Sequence, residues 1–165
     1  MRAPAIAASE PLTLAERYAV LADEIDSVLA GEADFTARMA TVAAMLAEAF
    51  EHFFWTGFYF VDPKRPDELV VGPYQGTLGC LRIAFGRGVC GAAAEQRRTI
   101  IVPDVDAFDG HIACDSRSKS EIVTPVFDQS GRLIAVLDVD STEPAAFSEI
   151  DGSGLAEIVR RVFAR

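Results

Sequence analysis

Three cysteines, Cys80, Cys90 and Cys114, are the residues of this sequence best suited to chemistry. None of them lies inside an apolar run, where a structural cysteine usually lies. Cys80 and Cys90 flank a glycine-rich stretch, and Cys114 lies in a long polar loop. A thiol with an ordinary pKa of about 8.5 is only slightly ionised at neutral pH, so a reactive cysteine needs nearby positive charge or hydrogen-bond donors.

The charges that are close to Cys114 in sequence have opposing effects on its thiol. His111, Arg117 and Lys119 would favour the thiolate, whereas Asp115 and the negative charge of the whole chain would disfavour it. The sequence leaves this balance open.

A zinc site is an alternative use of the same cysteines. His111 and Cys114 have the spacing H-x-x-C, and Cys80 and Cys90 would complete a set of four ligands. Structural zinc sites, however, typically use tight pairs separated by about two to four residues. Nine residues separate Cys80 from Cys90, so we expect thiol chemistry and no bound metal.

Three carboxylates form a second group of candidate site residues. Asp138 and Asp140 end a predicted apolar strand and share one face of it, because strand side chains alternate. Glu121 begins the preceding strand, and a four-residue hairpin turn would place it opposite Asp138, with Asp140 diagonal. Mutual repulsion would raise at least one pKa and keep a proton available near neutrality. The group could bind an ammonium and protonate a leaving oxygen, or it could be a solvated strand end or a divalent-ion site.

Two aromatic residues share a face of another predicted strand. Trp55, which is the only tryptophan, and Tyr59 are four residues apart. Core packing is the common fate of such side chains, and an aromatic wall around an apolar group or a cation is the functional alternative.

A literal G-x-G-x-x-G motif spans Gly86 to Gly91. Dinucleotide binding requires this motif between a strand and a helix of a parallel unit, with an acid about 20 residues later. The parallel unit is missing, and Asp104 and Asp106 come too early. We therefore expect a tight glycine turn here.

Hydrophobic periodicity predicts helices and hairpins in a definite order. Thr13 and Asp34 are expected to cap two amphipathic helices, and Ser148 a third, C-terminal one. The other expected elements are strands at Phe53–Asp62, Glu68–Gln75, Thr99–Val102, Glu121–Phe127 and Arg132–Asp140, a short helix at Val89–Arg98, an irregular segment at 76–88 and a polar loop at 103–119. Sequential hairpins favour an antiparallel sheet with helices packed against it.

Composition limits the possible roles of the chain. Its 165 residues suggest one domain, 13–165, after a mobile tail at 1–12. A net charge of −10 argues against nucleic-acid and membrane partners, and no apolar stretch is long enough to span a bilayer. We see no secretory signal and too few cysteines for a disulfide scaffold, so we expect a cytoplasmic protein.

Several motifs, taken in order, resemble the free methionine-(R)-sulfoxide reductases, which are GAF-domain enzymes. The resemblance covers about residues 50–147 and includes all three cysteines, although Ala84 stands where the family has proline. The motifs are G-P-Y-Q-G (72–76), C-L-R-I (80–83), G-R-G-V-C-G (86–91), V-P-D-V (102–105), G-H-I-A-C-D (110–115), S-E-I-V-x-P (120–125) and L-D-V-D-S (137–141).

The resemblance implies a fold and an activity. The fold is α+β, with an antiparallel GAF sheet of about six strands flanked by helices, usually in a homodimer. The activity is reduction of free methionine-(R)-sulfoxide without a bound cofactor, with an external thioredoxin-type protein as reductant.

The resemblance also implies roles for individual residues. Cys114 matches the nucleophile, Cys80 the main resolving cysteine and Cys90 a second thiol that can form a disulfide. Glu121, Asp138 and Asp140 match acidic residues that bind the substrate and donate a proton. Trp55 and Tyr59 match an aromatic pocket for the methyl-sulfur end of the substrate.

Two other functions compete with this one. A non-catalytic GAF sensor would bind a small ligand but would have no use for three loop cysteines. A thiol redox switch would form the same disulfide without turning over a sulfoxide.

Overall fold

The computed structural model describes residues 11–165 of the chain. The tail expected at 1–12 lies outside the described residues, apart from Pro11 and Leu12. Within the described part of the chain, no helix has the length and apolar character needed to cross a membrane.

Three helices begin where their capping residues predicted. Helix α1 (Leu14–Val28) starts with a capping box between Thr13 and Glu16, and α2 (Phe35–Ala49) starts at Asp34. A short helix, α3, spans Gly88–Gln96, and the C-terminal helix α4 (Glu149–Phe163) begins with a capping box between Ser148 and Asp151. These caps satisfy backbone N–H groups that have no partner within the helix.

Six strands form one antiparallel sheet in the order β3-β2-β1-β6-β5-β4. The strands are β1 (Trp55–Asp62), β2 (Arg65–Gln75), β3 (Arg82–Ala84), β4 (Ile100–Val102), β5 (Ser120–Phe127) and β6 (Leu133–Ser141). The expected α+β class and strand number are confirmed.

The sheet separates two apolar clusters because its side chains alternate between faces. Phe58, Ile122 and Leu137 lie on one face and pack against α1, α2 and α4. The opposite face carries Tyr59 and Val123, which pack with α3 and the loops around it. The candidate site residues of the strands belong to this second face, whereas the first face supplies a rigid support.

The register of the β5–β6 hairpin differs from the expected one. Glu121 pairs with Asp140, whereas Asp138 pairs with Val123. The turn pairs Phe127 with Leu133 rather than with Arg132, and a bulge after Val126 adds one more residue to β6. Together these shift the pairing by two positions from the regular four-residue turn that we assumed. A shift of two residues preserves the face, so the three carboxylates still lie together.

Three element boundaries also differ from the sequence-based expectation. Strand β2 begins at Arg65 rather than Glu68, and the segment expected to be irregular contains β3, which pairs with Glu68–Val70. Helix α3 ends at Gln96, since Arg97 adopts a left-handed conformation with φ 55°. Strand β3 was not predicted because three residues are too few to show an alternation of polar and apolar side chains.

Two glycines of α4 provide a matched test of this packing. A Cβ at Gly154 would overlap the Tyr18 ring, whereas a Cβ at Gly152 would make ordinary contacts at 3.6 Å. We expect Gly154→Ala to lower the free energy of unfolding by about 1–3 kcal/mol through overpacking. Gly152→Ala should raise it by roughly 0.5–1 kcal/mol, because alanine loses less entropy in a helix. Urea unfolding measures both values, and equal effects of the two substitutions would contradict the packing.

Candidate active site

A disulfide links Cys80 to Cys114, with their Cα atoms 5.5 Å apart. Cys80 follows β2 and is half-buried, whereas Cys114 lies exposed in the polar loop before β5. The sulfur atoms are therefore brought together from two loops that are 34 residues apart in sequence. Exposure of Cys114 gives reagents in solution access to this bond.

Polar side chains join the same two loops beside the disulfide. Thr77 Oγ1 donates a hydrogen bond to Asp115 Oδ2 over 2.8 Å. Arg117 donates to both oxygens of Asp115, at 3.0 and 2.7 Å, and stacks over the Phe54 ring. The hydrogen bonds from Arg117 hold the pKa of Asp115 well below its usual range. Because Asp115 engages this cation, Arg117 is poorly placed to stabilise a thiolate at Cys114.

Three stacked aromatic rings form one wall of the site. Trp55 lies between Tyr59, at a centroid distance of 5.6 Å, and Tyr74, at 5.0 Å. The indole Nε1 donates to the carbonyl of Thr77 over 2.9 Å. Gly57 makes this stack possible, since a Cβ there would overlap Tyr74 and come within 2.9 Å of the indole. The two aromatic residues predicted for the site therefore lie together, joined by Tyr74.

The three carboxylates meet on the sheet beside this wall. Glu121 and Asp140 are cross-strand partners, and Asp138 pairs with Gly57 of β1 on its other side. Glu121 and Asp138 are 6% and 5% exposed. The Oδ1 atom of Asp138 is buried without a hydrogen-bond partner. An unpaired buried carboxylate oxygen is costly unless a ligand pairs with it.

Burial is the main reason why the acids hold their protons strongly. It raises the pKa of Glu121, Asp138 and Asp140 well above the usual carboxyl range. The neighbouring negative charges raise these pKa values further: Asp140 acts on Glu121, Glu121 on Asp138, and Asp138 on Asp140. The site therefore contains carboxyl groups that stay protonated at a pH where surface carboxyls are ionised.

Cys90 and His111 lie against the acids. The sulfur of Cys90 and carboxylate oxygens of Glu121 and Asp138 are within 4.8 Å of one another. His111 Nε2 is 3.3 Å from Glu121 Oε2. Burial raises the pKa of the Cys90 thiol and lowers that of His111, so both groups favour their neutral forms. His111 is therefore a weak source of positive charge for Cys114.

Donor atoms for a metal ion are grouped differently from the zinc set that the sequence raised as an alternative. In the part of the chain that the structure describes, Cys90, Glu121 and Asp138 are close enough to share an ion. Cys80 and Cys114 are joined to each other instead. The four-ligand zinc site considered from the sequence is therefore not assembled.

A pocket of about 510 Å³, including its open mouth, unites these groups. All the predicted site residues line it except Cys80, which adjoins it through the disulfide. The lining residues that carry the candidate chemistry are Cys114, Cys90, Glu121, Asp138, Asp140, Trp55 and Tyr59. The arrangement places a redox-active bond beside proton-bearing acids and an aromatic wall.

Comparisons with known proteins identify the family of this chain. A model of the GAF domain matches residues 32–162. Free methionine-R-sulfoxide reductase of Escherichia coli is 42% identical over 147 residues, which are 89% of this chain and 87% of that protein. The chain belongs to the free methionine-R-sulfoxide reductases of the GAF domain family.

Two further proteins are similar to this chain over most of its length. GAF domain-containing protein A of Dictyostelium discoideum is 51% identical, over 88% of the chain and 89% of its own length. The structure also resembles free methionine-R-sulfoxide reductase of Neisseria meningitidis in complex with its substrate. That match has a TM-score of 0.87 and 48% identity, and it covers 93% of this chain and 90% of that one.

Sequence reasoning missed Tyr74 and the role of Thr77. A signal for Tyr74 exists, since a glycine inside a strand, here Gly57, often marks the close approach of another residue. The hydrogen bond between Thr77 and Asp115 spans 38 residues of sequence and two loops, so no local pattern predicts it.

The raised carboxyl pKa values predict an unusual pH dependence of stability. Because the folded protein binds these protons more tightly than the unfolded chain, the free energy of unfolding should fall as pH rises above the ordinary values of 3.8 and 4.5 towards the raised ones. The slope should approach about 1.4 kcal/mol per pH unit for each proton released.

Urea unfolding of the oxidised protein between pH 5 and 8 measures this dependence, and Asp138→Asn should reduce the slope. Glu157→Gln is the control, since Glu157 is a surface carboxylate whose pKa is lowered by Arg160. Stability that rises with pH throughout this range would contradict the protonation of the acids.

Proposed function

We propose that the chain is a thiol-dependent enzyme that reduces free methionine-(R)-sulfoxide to methionine. The observation that carries this proposal is the disulfide of Cys80 and Cys114 at a pocket with buried, proton-bearing carboxyl groups. Family membership supports the substrate, since the similar protein of Neisseria meningitidis is described in complex with its substrate.

The first step transfers oxygen from the substrate to Cys114. The thiolate of Cys114 attacks the sulfoxide sulfur, and a protonated carboxyl of the acid cluster gives its proton to the sulfoxide oxygen. The new bond between the two sulfur atoms then breaks as the hydroxyl passes from the substrate sulfur to the Cys114 sulfur. Methionine leaves with the electron pair, so its sulfur is reduced, and Cys114 becomes a sulfenic acid. The raised pKa values of Glu121, Asp138 and Asp140 support the proton donation.

The second step forms the disulfide present in this structure. The thiol of Cys80 attacks the sulfenic sulfur of Cys114 and expels the oxygen as water. A thioredoxin-type dithiol then reduces the disulfide with two electrons and becomes a disulfide itself. This cycle uses no bound cofactor. The short distance between the two Cα atoms, 5.5 Å, supports Cys80 as the resolving residue.

The buried acids also explain why the substrate would be a free amino acid. Its ammonium would pair with Asp138, whose Oδ1 otherwise has no partner. A methionine sulfoxide inside a peptide lacks this charge and would leave buried acidic groups unpaired, which disfavours binding. Trp55 and Tyr59 would contact the methyl-sulfur end of the substrate.

Cys90 would act as a second thiol rather than as the nucleophile. It is buried against Glu121 and Asp138, and burial raises the pKa of its thiol. A neutral buried thiol reacts slowly, so disulfide formation by Cys90 requires movement of the loops that carry the other cysteines.

The surroundings of the reaction complete the proposal. We place residues 13–165 in a single catalytic domain that works in the cytoplasm against oxidative damage, since thioredoxin-type reductants maintain that compartment. The working form would be a homodimer. The resemblance to the GAF-domain reductases is the basis for this assembly.

Replacement of the cysteines should separate the two chemical steps. We expect Cys114→Ser to abolish methionine formation, because the attacking atom is lost. Cys80→Ser should still form about one methionine per protein but lose most of its recycling by thioredoxin. Cys90→Ser should keep most of its turnover.

A thioredoxin-coupled assay of NADPH consumption measures turnover, and single-turnover chromatography measures methionine. Reduced, folded protein with confirmed thiol content is the starting point for each variant. Full turnover by Cys114→Ser would remove it as the nucleophile, and a disulfide that forms without any methionine production would favour a redox switch.

Neutralising one acid should slow the chemistry. Asp140→Asn keeps the shape but removes a carboxyl group, and we expect turnover to fall by about 10²–10⁴-fold. The matched control is Asp128→Asn, in a surface turn where Ser130 and Arg132 hold the carboxylate. Circular dichroism checks folding. Unchanged kinetics after separate neutralisation of Glu121, Asp138 and Asp140 would refute the role of the cluster.

A further inference from the structure

Two exposed leucines flank the reactive cysteine Cys80. Leu78 and Leu81 are 76% and 71% exposed, which are the highest values among the large hydrophobic residues of the described part of the chain. A single exposed leucine is ordinary, whereas neighbouring exposed apolar side chains can mark an interaction site. Leu78 and Leu81 lie within four residues, one on each side of Cys80.

The exposure of these leucines does not come from a loose backbone. The carbonyl of Thr77 accepts a hydrogen bond from Trp55, and the carbonyl of Leu81 accepts one from Val71 N over 3.1 Å. Gly79 packs so closely that a Cβ there would lie 2.9 Å from the indole and 3.1 Å from Tyr59 Oη. The segment is thus anchored on both sides of Gly79 while its leucine side chains extend into solvent.

The disulfide itself requires a partner to approach this surface. Reduction begins when an external thiolate attacks one sulfur along the S–S axis, forms a mixed disulfide and releases the other cysteine as a thiolate. The second thiol of the reductant then attacks the mixed disulfide, so two electrons pass to the enzyme and the reductant ends as a disulfide. A protein thiol reaches the exposed Cys114 only if its own surface meets the residues around the bond.

Three charged residues close in sequence to the two cysteines, Arg82, Asp115 and Arg117, have partners of opposite charge. Arg117 neutralises Asp115, and Arg82 pairs with Asp62 at 2.7 Å and with Glu68 at 3.1 Å. The segment from Leu78 to Leu81 therefore offers apolar contact on a chain with net charge −10. Such a surface suits a partner whose own cysteines are surrounded by apolar residues.

We infer that Leu78 and Leu81 form the docking surface for the protein dithiol that reduces the Cys80–Cys114 disulfide. This inference rests on the proposed function for its biological context. It assigns the leucines a role in the recycling step. Leu78 also lines the mouth of the substrate pocket, whereas Leu81 does not, so Leu81 separates docking from sulfoxide chemistry.

Recycling by protein and by small-molecule dithiols distinguishes this role. Leu81→Ser should lose about tenfold in kcat/KM for reduced bacterial thioredoxin, because an apolar contact at a hot spot is removed. With dithiothreitol as reductant, its turnover of free methionine-(R)-sulfoxide and its KM for that substrate should equal those of the wild type. Val28→Ser, which removes an exposed apolar side chain from α1, is the control and should change neither value.

Direct reduction of the oxidised protein provides an independent readout. Reduced thioredoxin is added to the disulfide form, and free thiols are counted over time, without any sulfoxide present. Leu81→Ser should react with thioredoxin about tenfold more slowly than the wild type, whereas dithiothreitol should reduce both proteins at the same rate.

Unchanged rates with thioredoxin would overturn the docking surface. A raised KM for sulfoxide with dithiothreitol, or equal losses with both reductants, would also overturn it, since the leucines would then cover the substrate or support the fold. A wild-type protein that turns over no sulfoxide with dithiothreitol would instead refute the proposed function, and the thiol count would still decide the docking surface.

Discussion

Burial of three carboxyl groups that the sheet brings together is the constraint on which the site depends. Strands β5 and β6 hold Glu121 opposite Asp140, and Gly57 leaves space beside Asp138 on β1. Since the packed helices on the opposite face prevent the strands from separating, the acids stay buried side by side. They retain protons chiefly because burial disfavours their charged forms, and further because their charges repel. The rigid packing thereby keeps carboxyl groups protonated at a pH where surface carboxyls are ionised.

Separation of functions between the two faces of the sheet follows from this constraint. One face is a continuous apolar layer with α1, α2 and α4, whereas the other tolerates buried acids, a thiol and an open pocket. Loops complete the second face, and their cysteines approach each other with the support of Thr77 and Asp115. The rigid apolar face therefore supports the strands that carry the acids, whereas the cysteines whose covalent bonds would change lie in surface loops.

Local sequence rules predicted the elements better than their pairing. Capping at Thr13, Asp34 and Ser148 depends on residues three positions apart, and the structure confirms all three helix starts. The hairpin register was wrong because a bulge after Val126 depends on packing between strands. Alternation alone still placed the acids on one face, whereas the contacts between distant loops had no local pattern and were found only in the structure.

The disulfide encloses β3, α3 and β4 in a covalent ring of 34 residues. Oxidation therefore removes conformational freedom from the unfolded chain, and chain-entropy arguments set this effect at about 4 kcal/mol for such a ring. In the proposed cycle, the enzyme alternates between an oxidised form that the disulfide stabilises and a reduced form that lacks this stabilisation. The resistance of the protein to heat and to proteases would then indicate what fraction of it is in the reduced form in the cell.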